Sequence, residues 1–168
     1  ERAVVRRFGR VLEEKPGPGL WIGLPWGIDR VDRIEVDTVR SVPAGYDGDP
    51  GDGSSMPAGQ LVTGDNNLVN VQATIFWKVE EAGLADFALQ ADRVPGVLQR
   101  LAEGAAGEWV ASRPVDEVLL RGKAALGKVL LARVRERLEG MRLGVQVLEA
   151  SVALVAPPDE VREAFERV

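Results

Sequence analysis

The chain has 168 residues, 45% hydrophobic and 28% charged, with a formal net charge of −5. That suits one domain with a buried core and argues against a nucleic-acid partner, which calls for a basic patch or stripe. It contains neither histidine nor cysteine. Disulfides, thiol chemistry, the usual general base and the commonest metal ligand are therefore gone, and no Ser-His-Asp or Cys-His arrangement is available.

Residues 2–12, "RAVVRRFGRVL", read as a first strand carrying Val4, Val5, Phe8, Val11 and Leu12 among arginines. The chain enters it directly from Glu1 with no initiator methionine, which points to a fragment whose upstream segment has room for an anchor. No secretory signal is visible, and no window approaches the roughly 18 apolar residues of a membrane-crossing helix.

"PGPGLWIGLPWGIDRV" (16–31) follows, with Leu20, Trp21, Ile22, Leu24, Pro25 and Trp26 at its centre. Its prolines and glycines exclude a helix, yet it is too apolar for an ordinary solvent loop. Two readings stand: a rigid plug tucked under a sheet, or a shallow foot on a membrane. Tryptophan's preference for the membrane–water boundary favours the foot. An acidic chain does not oppose this, because apolar insertion needs no net positive charge.

Residues 30–42, "RVDRIEVDTVRSV", alternate as a strand, with Ile34, Val36 and Thr38 opposite Arg33, Glu35 and Asp37. The Gly/Pro/Asp/Ser run 43–59 is a surface loop or an insertion. Its aspartates, Asp47, Asp49 and Asp52, do not meet the calcium-loop pattern and fit turn chemistry instead. In 60–79, a turn at "GDN" leads into a half-buried strand with Val69, Val71, Ala73, Ile75 and Trp77 on the apolar face. Asp65, Asn66 and Asn67 are better explained by that turn than by a metal or catalytic cluster.

The period then changes to helical. Val94, Val97, Leu98, Leu101, Ala105 and Trp109 form one stripe. Pro114 breaks and restarts the helix. A second stripe, Leu126, Leu130, Val134 and Leu138, occupies 121–139, with Gly140 as its stop. The charged run 133–140 reads as a solvated helix face rather than a subunit contact. Residues 143–155 return to strand. "PPDEVREAFERV" (157–168) starts a final helix with Val161, Ala164, Phe165 and Val168 on one stripe. That helix carries no cap, so it is expected to continue beyond the sequence.

The expected fold is α+β: a mostly antiparallel sheet with helices packed on one side, and a C-terminal helix projecting toward a coiled coil. Ser41, Ser54, Ser55, Ser112 and Ser151 have no histidine to activate them, and nothing positions a dyad with Lys123 or Lys128.

Three blocks, "RAVVRRFGRV" with the Pro/Gly/Trp loop, "LVTGDNNLVNVQATIFWKV", and "LGVQVLEASVALVAPPDEVREAFERV", carry a resemblance over nearly the whole chain. In this order they resemble the stomatin/prohibitin/flotillin (SPFH, band 7) superfamily, and within it the HflK and HflC branch of bacterial membrane protease modulators. The 43–59 loop is longer than the family's, and the helical middle is richer in alanine and glycine.

The resemblance implies an SPFH domain over 1–156 and, over 157–168, the start of a helix that bundles with neighbouring subunits. The implied contacts are Val161, Arg162, Phe165, Glu166 and Val168. It further implies a non-enzymatic scaffold, without cofactor or metal, assembled with itself or with an HflC-like sibling on membrane lipid. Beside an FtsH-type ATP-dependent protease of the bacterial inner membrane, it would control substrate access from the extracytoplasmic side. The alternative is a stomatin- or flotillin-like organiser of lipid with no protease partner.

Overall fold

The computed structural model describes residues 2–12, 24, 28–45 and 59–158. Its strands are β1 (Arg2–Arg7), β2 (Arg10–Val11), β3 (Asp29–Ile34), β4 (Arg40–Ala44), β5 (Gln60–Val62), β6 (Leu68–Val79) and β7 (Val145–Ala156). Between β6 and β7 come a 3-10 turn (Glu81–Gly83) and three helices, α1 (Leu84–Gln90), α2 (Val94–Ala111) and α3 (Val115–Leu138). Every strand pairing is antiparallel, so the α+β architecture expected from the sequence is the one found.

The strands form two sheets rather than one. The first has the order β2-β1-β3. The second is centred on β6. Asn70 of β6 faces Gln60 of β5 on one side and Ala156 of β7 on the other, and Trp77 faces Arg40 of β4 and Val147 of β7. Thus β4 and β5 share one edge of β6, and β7 runs along the other from Asn70 to Val79.

Two expectations are corrected here. Residues 2–12 are a hairpin, because Phe8 and Gly9 turn the chain with φ of 49° and 81°. Residues 30–42 leave the first sheet after Ile34 and enter the second at Arg40. The intervening turn is held by Thr38 Oγ1 donating to Glu35 Oε2 (2.8 Å) and Arg40 Nη2 donating to the Glu35 carbonyl (3.1 Å).

On β6 the alternation is strict, with Val69, Val71, Ala73, Ile75, Trp77 and Val79 all buried. The N-terminal half of this face packs with Trp109, Val118, Leu126 and Leu130. The C-terminal half packs with Leu84, Phe87, Leu98 and Val134, and takes in Val4 and Ile34 from the first sheet. The helices therefore lie on one face of the second sheet. Gly127 lets α3 approach β7 closely, since a Cβ there would stand 2.9 Å from the Ala150 carbonyl oxygen.

Pro114 ends the break between α2 and α3, and α3 begins directly after it. Its first turn is capped from a distance. The Val115 N–H donates to both carboxylate oxygens of Asp65 (3.1 and 3.2 Å), while Thr63 Oγ1 donates to Asp65 Oδ1 (2.5 Å). The "GDNN" turn is thus structural, as its sequence suggests. Because these donors favour the charged form, the Asp65 carboxyl lies below its ordinary value of 3.8. Asp65→Ala is expected to lower the melting temperature by about 2–4 °C, the loss of one helix cap in a domain of this size. Differential scanning calorimetry at neutral pH checks this.

The charged run around Val134 is largely exposed, as expected, with Arg133, Arg135, Glu136 and Glu139 open to solvent, yet two of its arginines also bond to neighbouring elements. Arg135 donates to the Val147 and Leu148 carbonyls (2.9 and 3.2 Å), and Arg137 pairs with Glu108 at 2.6 Å. These arginines tie α3 to β7 and to α2.

Candidate functional site

The far end of the first sheet gathers the exposed apolar groups of this region. β1 and β2 are joined by Phe8 and Gly9, and in this tight turn the Phe8 ring stays largely uncovered by the described residues. Phe8 is 80% exposed in the turn, whereas the sequence suggests a residue within a strand. A signal was available: a glycine next to an aromatic, with arginines on both sides, reads as a turn as readily as a strand.

The Phe8 N–H donates to the Ile28 carbonyl (3.2 Å), so the chain returns from the Pro/Gly/Trp segment beside the hairpin turn. The return is fixed by Asp29, whose side chain is only 2% exposed. Asp29 accepts two hydrogen bonds from Arg7 (2.7 and 3.0 Å) and one from the Leu24 N–H (2.8 Å). Leu24, 47% exposed, is thereby held at the same end of the sheet as Phe8. Of the six residues expected to meet a membrane, Leu24 alone is described. Leu20, Trp21, Ile22, Pro25 and Trp26 lie outside the described residues, as do Val161, Arg162, Phe165, Glu166 and Val168 of the expected assembly surface.

The Arg7 and Leu24 donors hold the Asp29 carboxyl below its ordinary value of 3.8. A depressed native pKa stabilises the fold above the unfolded value, and that contribution disappears as pH falls through the native one. The anchoring of Leu24 is therefore expected to be intact at neutral pH and to loosen only below about pH 4. Amide exchange of Leu24 and Phe8, followed from pH 6 to pH 3, checks the window; loosening already at pH 6 would contradict it.

No helix among the described residues is long and apolar enough to cross a membrane. Contact with a bilayer through this region would rest on side chains such as Phe8 and Leu24. Among the described residues no cluster of three or more Asp or Glu side chains could hold a metal ion.

The profile of the "SPFH domain / Band 7 family" matches residues 1–168. The chain belongs to the SPFH/Band 7 family. Within reach of this SPFH domain are proteins named "Protein HflK". That of Buchnera aphidicola (subsp. Schizaphis graminum) is 26% identical over 167 residues, covering 99% of this chain and 36% of the relative. That of Haemophilus influenzae is 23% identical, with the same coverage of 99% and 36%. That of Treponema pallidum is 23% identical over 177 residues, covering 100% of this chain and 52% of the relative. This SPFH domain thus spans between about a third and a half of the length of these relatives.

Proposed function

We propose that this SPFH domain is part of an HflK-like, non-enzymatic scaffold that assembles in many copies on a membrane and controls which membrane-protein substrates reach an FtsH-type ATP-dependent protease. The carrying observation is the similarity to proteins named HflK across 99–100% of the chain. The geometry supports a membrane-facing role: Phe8 and Leu24 are exposed at one end of a sheet whose other end packs into the core through Val4 and Ile34. The membrane contacts proposed beside Phe8 and Leu24 are Leu20, Trp21, Ile22, Pro25 and Trp26. Each inserted apolar side chain contributes roughly 1.5–3 kcal/mol, useful beside an upstream anchor and weak alone.

The last strand, β7, ends at Ala156, and the proposed domain boundary falls there. In this reading the segment 157–168 supplies the subunit contacts Val161, Arg162, Phe165, Glu166 and Val168 and leads toward a coiled coil, with copies of the same chain or an HflC-like sibling as neighbours. The domain sits on the extracytoplasmic face of the bacterial inner membrane. With neither histidine nor cysteine in the sequence, its mechanism is steric: a wall of subunits enclosing an area of bilayer.

The test is a tagged full-length protein at native expression level, solubilised in mild detergent and purified with whatever accompanies it. Large complexes containing an FtsH-type protease support the reading. Large complexes of the protein and lipid alone would replace it with a lipid-organising scaffold, and a monomer would reject assembly altogether.

A further inference from the structure

A cleft of about 400 Å³ lies where the first sheet meets α1, lined by Arg6, Arg30, Arg33 and Arg40 together with Asp32 and Asp92. Four arginines and two aspartates line it, in a chain whose net charge is −5. The crowding begins in the strand register: Arg6 of β1 stands directly opposite Arg30 of β3. Like charges in that position repel. Asp32 is the carboxylate that answers both, at 2.5 Å from Arg6 Nε and 3.6 Å from Arg30 Nε.

Arg40 is held from the opposite wall. Its guanidinium lies over the rings of Trp77 (5.5 Å) and Phe87 (5.8 Å), and its Nη2 donates to the Glu35 carbonyl at 3.1 Å. Its Nη1 is buried and has no hydrogen-bond partner among the described residues. A buried donor without a partner is costly to leave so, and a charged donor more than a neutral one. Arg30 and Arg33 are exposed at the mouth, where a ligand can reach them.

We propose that this cleft binds a phosphate group. Planar guanidinium forks match the oxygens of a phosphate in paired hydrogen bonds, and a tetrahedral anion can meet several arginines at once where a side-chain carboxylate meets one or two. The cleft joins elements of both sheets, so a phosphate held by Arg6 and Arg30 of the first would lie beside Arg40 of the second. The phosphate belongs either to a soluble molecule or to a lipid headgroup, and the cleft does not depend on a protease partner.

The experiment is calorimetric titration of the full chain at 150 mM NaCl with inorganic phosphate and with glycerol 1-phosphate. In parallel, the chain is sedimented with vesicles of phosphatidylcholine alone or with one-third phosphatidylglycerol. The variants are Arg30→Gln/Arg33→Gln, both at the exposed mouth, and Arg133→Gln on α3 as a charge-matched control away from the cleft, each checked for folding by circular dichroism. Saturable phosphate binding that weakens at least tenfold in the double variant and is unchanged in Arg133→Gln is expected. Should the double variant lose its fold, protection of wild-type Arg30 and Arg33 from phenylglyoxal by phosphate replaces it. Competition of glycerol 1-phosphate with phosphatidylglycerol vesicles assigns the phosphate to a lipid; binding of the soluble phosphates without such competition assigns it to a soluble ligand. No saturable binding of either soluble phosphate, equal weakening in Arg133→Gln, or no protection would overturn the proposal.

Discussion

Leu126→Ala is expected to destabilise the domain by about 2–5 kcal/mol, as removal of a fully buried leucine does when its surroundings relax only in part. Leu126 is completely buried on α3, in the cluster that also contains Val69, Val118, Leu130 and Val152. It closes the layer between the helix and the long central strand. The melting temperature should fall by roughly 5–15 °C. The control is six residues away on the same helix: Leu120 is 85% exposed, and Leu120→Ala should leave the melting temperature within about 2 °C. Equal effects at the two positions would mean that α3 does not pack through the Leu126 stripe.

Phe8→Asp should have the largest effect on membrane contact of any single change among the described residues. A phenylalanine ring moved from water into the bilayer boundary contributes about 1.5–3 kcal/mol, and an aspartate at the same place opposes anionic lipid. Partitioning onto vesicles containing phosphatidylglycerol should therefore drop about ten- to a hundredfold. Because Phe8 is 80% exposed in a turn, the melting temperature should hardly move. A variant that melts early and still binds vesicles would place Phe8 in the fold and not at the membrane. The same assay on Trp21→Ser/Trp26→Ser separates the two readings of the Pro/Gly/Trp segment: a foot loses binding with little loss of stability, whereas a plug loses stability first.

What could be read from the sequence was whatever is local. The alternation of β6 is visible because one face is wholly apolar, and it survives as six buried residues in a row of alternate positions. The break at Pro114 is visible because proline cannot continue a helix. The stripes of α2 and α3 follow from their period. By contrast, the residues of 80–93 carry no extended stripe, and the seven-residue helix α1 that they form owes its place to burial of Leu84 and Phe87 against the sheet. The hairpin at Phe8 was only half legible: Gly9 marks a turn, but the turn also puts a phenylalanine at positive φ, against the usual preference for glycine or asparagine.

The passage of the chain from one sheet to the other at 35–39 was hidden as well. Alternation records which side a residue faces and says nothing about which sheet it joins. The base of the 43–59 loop shows a similar limit. Pro43 and Ala44 are strand residues, and Gly45 and Gly59 meet over Val71, so closely that a side chain on Gly45 would collide with the Val71 carbonyl oxygen. The glycines were obvious in the sequence; that they touch each other was not. Likewise, no spacing rule brings Arg40 beside Arg6 and Arg30, because their meeting depends on two sheets and a helix packing together.

The family assignment rests on similarity over the whole chain, and the proposed membrane contact on the exposure of Phe8 and Leu24. The regulatory role is the central claim, and turnover of membrane proteins tests it most directly. Degradation of a membrane-protein substrate of an FtsH-type protease should be followed by pulse-chase in cells with and without the full-length protein, beside a soluble substrate of the same protease. A change in turnover of the membrane substrate with the soluble one unaffected is the expected result, since the proposed wall of subunits would limit access only within the bilayer. Unchanged turnover of both substrates would contradict the account.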